Sequence, residues 1–298
     1  MAVAIYTESV GQEYATSLPV PVYLYDISIG GTRDEVTLDI RNKRELVGAA
    51  GRAVIAFSCD GKLLAAGCDD GQVRLWKLPE GKALPPLPSS GPSVLSVAFS
   101  PTDPHLLACG TGTFELGWLG GDVRLWNVDD QQLIRVLSGH TAGVRRVTFS
   151  RDGKRLGTAS ADRTAKIWDL QSYKLIDTFR GHAATVTGIT FSPDADRVAS
   201  GSFDNTVRVW DVAANTRPAK VAAHFRAVGE IAFSPDDRML ATCGQDGTVR
   251  IWETASGELI RELDLGVPTV ASVEFSPDGE TLLAAGGYYP GWDAPGGI

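Results

Sequence analysis

The sequence has no run approaching the roughly 18–20 consecutive apolar residues that a membrane-spanning helix needs, so no membrane partner is expected. Met1 to Gly11 has no basic segment followed by an apolar core, and no secretory signal is expected there. Asn-x-Ser/Thr acceptors and Cys-x-x-Cys pairs are both missing. Cysteine is scarce. Cys59, Cys68, Cys109 and Cys243 are the only four, too few and too scattered for a disulfide framework or a zinc site. They are expected to be small buried residues in a reduced, cytoplasmic compartment. Basic patches and like-charge runs are also absent, and 36 acidic residues outnumber 28 basic ones for a net charge of −8. That balance excludes the electrostatic footprint of a nucleic-acid binder and favours solubility.

What the chain does have is a beat. Trp168, Trp210 and Trp252 are each 42 residues apart. The same step separates Phe149, Phe191, Phe233 and Phe275, and again His140, His182 and His224. A 40–45-residue period marks an array in which each repeat builds one supersecondary unit. Length alone would suggest about two domains, but stacked copies make one body. Within a repeat, Val144 to Phe149, Leu156 to Ser160, Ala165 to Asp169 and Lys174 to Phe179 have strand length and β-branched or aromatic content, with Gly or Asp at the junctions. Four such strands, a to d, form a meander with two apolar faces. Radial packing of several meanders buries both, which gives an all-β propeller.

Phe57, Phe99, Phe149, Phe191, Phe233 and Phe275 end six innermost strands. The interval from Phe57 to Trp76, or from Phe149 to Trp168, is 19 residues, and Tyr6 to Tyr25 repeats it. Residues 1–48 therefore read as a degenerate first repeat with about nine extra residues between Ile27 and Gly48, and with Tyr14 to Ser17 as its strand b. Repeats at 49–90, 91–140, 141–182, 183–224 and 225–266 follow, then a shortened one at 267–298. The expectation is one seven-bladed propeller of four-stranded antiparallel blades, 1–298, whose last blade is incomplete. Cys109 and Cys243, each ten residues past a phenylalanine, are expected at equivalent positions.

Gly181-His182, Ser192-Pro193-Asp194, Ala199 to Ser202, Asp204 and Val207 to Asp211 resemble the WD-repeat family, in the regular form typical of its bacterial members. The resemblance is strong from about 50 to 285. It implies a hydrogen-bonded set in each blade: His140, Thr158, Asp162 and Trp168; His182, Ser200, Asp204 and Trp210; His224, Thr242, Asp246 and Trp252. A buried indole N–H and imidazole need partners, and the carboxylate supplies an acceptor. The second repeat has Gly48 and Ala66 at the His and Ser/Thr positions.

These sets are architecture rather than chemistry. One His per blade cannot converge on a metal, and a Ser/Thr–His–Asp set occurring three times is not a single active site. His105 reads as a solvated turn residue. Asp-Gly pairs such as Asp60-Gly61 and Asp152-Gly153 are turns, Gly110-x-Gly112 lacks the rest of a phosphate loop, and Arg74, Arg124, Arg208 and Arg250 are sheet-face stems. An enzyme built on the central channel would need acids or histidines at the starts of the strands a. Those positions read Ala53-Val54, Ser93-Val94, Gly143-Val144, Thr185-Val186, Ala227-Val228 and Thr269-Val270.

The repeat does not require Phe114, Trp118, Phe203, Phe225, Arg226, Tyr288, Tyr289 and Trp292, which fall in the b–c and d–a loops at one end of the propeller. Aromatics with arginine in loops are interface anchors. The functional expectation is a non-enzymatic scaffold that binds a protein or peptide there, without cofactor or metal, as a docking or sensor part of a larger signalling protein. A structural subunit whose partner completes the last blade is the alternative.

Overall fold

The computed structural model describes residues 2–6, 22–32, 35–46, 53–88, 92–113, 120–212 and 219–287. Those residues form seven antiparallel sheets and no helix. The first sheet is β1 (Ala2–Tyr6), β2 (Val22–Thr32) and β3 (Glu35–Leu46). The second is β4 (Ala53–Phe57), β5 (Leu63–Cys68), β6 (Val73–Lys77) and β7 (Lys82–Leu87), and the third β8 (Val94–Phe99), β9 (Leu106–Thr111), β10 (Val123–Asn127) and β11 (Gln132–Leu137). The fourth comprises β12 (Val144–Phe149), β13 (Arg155–Ser160), β14 (Thr164–Asp169) and β15 (Leu175–Arg180). The fifth comprises β16 (Val186–Phe191), β17 (Arg197–Ser202), β18 (Thr206–Asp211) and β19 (Ala219–Ala222). The sixth has β20 (Val228–Phe233), β21 (Met239–Gly244), β22 (Thr248–Glu253) and β23 (Leu259–Asp264), and the seventh β24 (Thr269–Phe275) and β25 (Leu282–Gly287). Sheets two to six are four-stranded meanders in sequence order, as the 42-residue beat predicts.

The innermost strands contact one another in series, β4 with β8, β8 with β12, then β16, β20 and β24. This is the β-propeller arrangement. The core accordingly lies between sheets. Ala159, Ile167 and Phe179 of the fourth sheet pack with Val186, Ile189 and Trp210 of the fifth. Leu137 of the third packs with Val144, Val147 and Trp168 of the fourth.

Five of the strands a, β8, β12, β16, β20 and β24, carry two buried valine or isoleucine positions three apart, such as Val144 and Val147, where strict alternation would send them to opposite faces. A bulge resolves the conflict. Pairing slips between Val94 and Ser96, Val144 and Arg146, Val186 and Gly188, and Val270 and Ser272. The extra residue returns the second apolar side chain to the same face. Close sheet-to-sheet approach also needs small residues: a Cβ on Gly201 would lie 2.7 Å from Val228 Cγ1 of the next sheet.

The a–b turns follow one design. Ser150 Oγ donates to Asp152 Oδ1 at 2.6 Å, and Gly153 adopts φ 69°. Ser58, Ser192, Ser234 and Ser276 repeat the bond to Asp60, Asp194, Asp236 and Asp278. These aspartates are turn formers, followed by Gly61, Gly153 and Gly279 in three turns and by Ala195 and Asp237, also at positive φ, in the other two.

Two particulars differ from the sequence expectation. In the first sheet β1 pairs directly with β2, Ala4 opposite Tyr25 and Tyr6 opposite Tyr23, with no strand between them. The stretch read as strand b, Tyr14 to Ser17, lies outside the described residues. The extra residues after Ile27 lengthen the β2–β3 hairpin, and Leu46 at its end packs with Trp76 as Leu137 packs with Trp168. In the third sheet the register places Cys109 opposite Val97, as Thr158 lies opposite Val147. Cys109 therefore occupies the hydroxyl position of that blade, and Cys243 one position further on, opposite Val249. One extra residue in the turn at Thr102 to His105 shifts the count. Burial raises both thiols to about 12, so they stay protonated and inert.

Candidate interaction face

The three predicted sets are assembled in the fourth, fifth and sixth blades. In the fifth, Trp210 on β18 donates its Nε1–H to Ser200 Oγ on β17 at 2.8 Å. The hydroxyl donates to His182 Nε2 at 2.9 Å, and His182 Nδ1–H donates to Asp204 Oδ2 at 3.0 Å. In the fourth, Trp168 to Thr158, Thr158 to His140 and His140 to Asp162 measure 3.0, 2.8 and 2.8 Å. In the sixth, Trp252 to Thr242, Thr242 to His224 and His224 to Asp246 measure 3.0, 2.9 and 2.9 Å. The carboxylate can only accept, so Nδ1 carries the proton and, in the neutral imidazole, Nε2 accepts from the hydroxyl.

A further member of each set escaped sequence reasoning. Thr164, Thr206 and Thr248 donate their hydroxyls to Oδ1 of Asp162, Asp204 and Asp246 at 2.6, 2.6 and 2.8 Å. They keep the 42-residue beat, and that was the available signal. Each carboxylate also accepts backbone N–H groups from two loops. Asp204 takes Ala183 N–H at 2.8 Å from the d–a loop and Thr206 N–H at 3.0 Å from the b–c turn. The buried sets thus tie together the loops of the face on which interaction residues were expected.

Burial pushes His182 and His224 below the usual imidazole range, outweighing the neighbouring carboxylate that pulls the other way. Asp204 falls to about 2 and Asp162 and Asp246 fall as well, because the hydrogen bonds and imidazoles around them outweigh desolvation. The unfolded chain thus binds more protons than the native one in two windows. Stability is complete above about pH 6.5, the free imidazole value. It falls as pH drops below that, since His182 and His224 stay neutral only in the native state. The carboxylate contribution persists to about pH 4 and is lost as pH falls through the native values. Denaturant titrations from pH 8 to 3 are expected to show this two-stage decline. A flat profile between pH 7 and 5 would contradict it.

The second blade replaces the missing histidine with arginine. Arg74 forms a bidentate pair with Asp70, Nη1 at 3.1 Å and Nη2 at 2.7 Å. Arg250, at the matching position of the sixth blade, is buried, donates from Nε to Glu262 at 2.7 Å and hydrogen-bonds Ala223 O. Arg74 and Arg250 are therefore bracing rather than free.

On the loop face, Phe225 is 82% exposed and Phe203 40% exposed, with Arg226 exposed beside Phe225. Phe225 N–H donates to Asp246 Oδ2 at 2.9 Å, and the Arg250 guanidinium lies 5.0 Å from the centre of its ring. Asn205, two residues after Phe203, donates from Nδ2 to Phe225 O at 3.4 Å, so the two loops are joined. Phe114, Trp118, Tyr288, Tyr289 and Trp292, expected on the same face, lie outside the described residues.

The central channel holds a polar belt that the strand starts did not reveal. Arg146 forms an ion pair with Glu230, two repeats away, and Ser272 Oγ donates to Glu230 Oε2 at 2.6 Å. Gly188 occupies the corresponding position between them, which leaves the path clear. No group of three or more His, Cys, Asp or Glu able to hold a metal occurs among the described residues.

Comparison with known proteins places this geometry. The family described as "WD domain, G-beta repeat" matches at residues 51–77, 86–127, 131–169, 173–211 and 216–253. The later matched repeats end on or just past strand c, because the family pattern takes strand d from the preceding sheet. Coronin-7 of Homo sapiens is 37% identical over 110 residues, 35% of this chain and 11% of the relative. Protein tipD of Dictyostelium discoideum is 31% identical over 153 residues, 51% of this chain and 23% of the relative. The chain thus spans under a quarter of the length of these relatives. With five repeats matched over more than half its residues and the blade hydrogen-bond sets in place, the chain belongs to the WD40 (G-beta repeat) family.

Proposed function

We propose that this propeller is a non-enzymatic, cytoplasmic protein-interaction scaffold that binds a protein or peptide on the loop face bearing Phe203, Phe225 and Arg226. Phe225 carries the reading. An 82% exposed aromatic ring is held in place by a backbone bond to Asp246 and by the buried Arg250 beneath it, so little ordering entropy remains to be lost on binding. The stretch aligned with this chain is a small share of these longer relatives, which favours a docking module.

The test is affinity capture from the source cells with wild type and with Phe203→Ala/Phe225→Ala. Recovery of the specific partner is expected to fall at least about tenfold, the scale of a lost aromatic anchor. The melting temperature should stay close to wild type, since Phe225 is largely solvated and Phe203 is 40% exposed at the surface. Undiminished recovery with intact folding rejects this face as the docking site.

A further inference from the structure

At the end of the molecule opposite Phe203 and Phe225, five sheets converge on a cavity of about 410 Å3, inside the roughly 300–1,000 Å3 range of ligand pockets. Its wall is formed by the phenylalanines that end β8, β12, β16 and β20. Two residues further on, four repeats place a proline at the lip: Pro101, Pro193, Pro235 and Pro277. The fourth repeat departs from this pattern, and its lip residue is Arg151.

Four polar side chains interrupt the apolar lining. Ser192 is already bonded to Asp194 within its own turn, whereas the Arg151 guanidinium and the hydroxyls of Thr148 and Thr190 have no hydrogen-bond or ion-pair partner among the described residues. The two threonines are equivalent residues, one before each strand-ending phenylalanine. Thr148 turns its methyl toward Gly157, where an added Cβ would lie 3.2 Å from it, beside the Phe191 ring. Two residues back along the strands, about 7 Å by strand rise, the Arg146–Glu230–Ser272 belt crosses the channel. The cavity is therefore a cup with apolar walls and Arg151 as the one cation in its lining.

The geometry points to this cup as a receptor for the free C-terminus of a partner polypeptide ending in an aromatic or large aliphatic residue. The terminal side chain lies against the phenylalanines, and the α-carboxylate meets Arg151 with the threonine hydroxyls as additional donors. Charge selects the chain end over an internal acidic motif. Asp152, Asp194, Asp236 and Asp278 stand in the surrounding turns, held ionised well below the usual carboxylate range by their serine and backbone donors. A peptide crossing that rim with several acids would be repelled, whereas a chain end brings one carboxylate directly to the one free cation. This inference is independent of the loop-face reading, because the two surfaces lie at opposite ends of the strands.

The repeat supplies the control variant. Arg151→Pro installs the residue that four sister blades already hold at that turn, and Arg151→Gln keeps the side-chain length. The probe is fluorescein-labelled Gly-Ser-Gly-Ser-Phe-Phe with a free C-terminus, compared by fluorescence polarisation with the same peptide as its C-terminal amide. The free acid is expected to bind at least about tenfold more tightly than the amide, the scale of a charge-assisted pair. That difference should vanish in both Arg151 variants and persist in Phe203→Ala/Phe225→Ala. Absence of saturable binding, equal affinity for acid and amide, or a preference that survives Arg151→Gln would overturn the proposal. Loss in the loop-face variant would do the same, as would decanoate displacing the probe at a lower concentration than unlabelled peptide, which would assign the cup to a small hydrophobic acid.

Discussion

Trp210→Ala is expected to lower the unfolding free energy by about 3–5 kcal/mol, the range for removing a buried aromatic without refilling its space. Trp210 is only 4% exposed, and its ring stacks on Phe179 of the preceding blade with centroids 5.0 Å apart. It lies edge-on to His182 at 6.5 Å. Alanine would thus open a cavity at the seam between the fourth and fifth blades, where β15 and β18 cannot collapse without moving whole sheets. Ser200 would also lose the indole donor. Trp210→Phe separates the two effects, since it keeps most of the ring volume and removes the N–H, for a cost nearer 1 kcal/mol. Urea unfolding followed by intrinsic fluorescence and circular dichroism measures both. In a repeat array the seam couples neighbours, so a broadened or biphasic transition for the alanine variant is part of the expected outcome. A shift below about 1 kcal/mol would mean that the seam does not hold the blades together.

Much of this architecture was legible because it repeats. The tryptophans, histidines and aspartates fall on one beat, and the structure places them in the bonds that the family resemblance implies. The illegible parts break the beat locally or depend on a geometric irregularity. Val144 and Val147 face one way only because of a bulge, which no period-two reading anticipates. Cys109 was misaligned because the third repeat hides one extra turn residue beside a much longer insertion, so counting from Phe99 fails by one. The Arg74–Asp70 pair shows the aspartate of a blade without the histidine held by a cation instead. The channel belt was not legible at the strand starts, because Arg146, Gly188, Glu230 and Ser272 sit further in on the same 42-residue step. Among the interaction residues, exposure of Phe203 and Phe225 could not come from composition. The exposed ring needed Arg250 buried beneath it, which only the folded blade supplies.

Asp204→Ala is expected to cost about as much as Trp210→Ala although it removes far fewer atoms, roughly 3–5 kcal/mol for leaving several buried donors without an acceptor. Asp204 accepts four hydrogen bonds: His182 Nδ1–H and Ala183 N–H on Oδ2, Thr206 N–H and Thr206 Oγ–H on Oδ1. Its side chain is 10% exposed, so water replaces these bonds poorly. Alanine leaves a buried imidazole N–H and two backbone N–H groups without acceptors, each a desolvation cost with nothing returned. Asp204→Asn is not a rescue, because both oxygens are occupied by donors and an amide must turn its own NH2 toward one pair of them. The conservative variant is therefore expected to lose more than half of what alanine loses. Asp70→Ala in the second blade is the internal comparison. Asp70 is more exposed and its partner Arg74 can turn to solvent, so its loss should fall near the lower end, about 1 kcal/mol. If Asp204→Ala and Asp70→Ala proved equally mild, the carboxylate would be incidental and the tryptophan packing alone would hold the blade. The matching Asp246→Ala carries the argument to function, because Asp246 fixes the backbone of Phe225 at 2.9 Å. Partner recovery through the loop face should then fall in a protein that still holds the Phe225 ring but no longer holds it still.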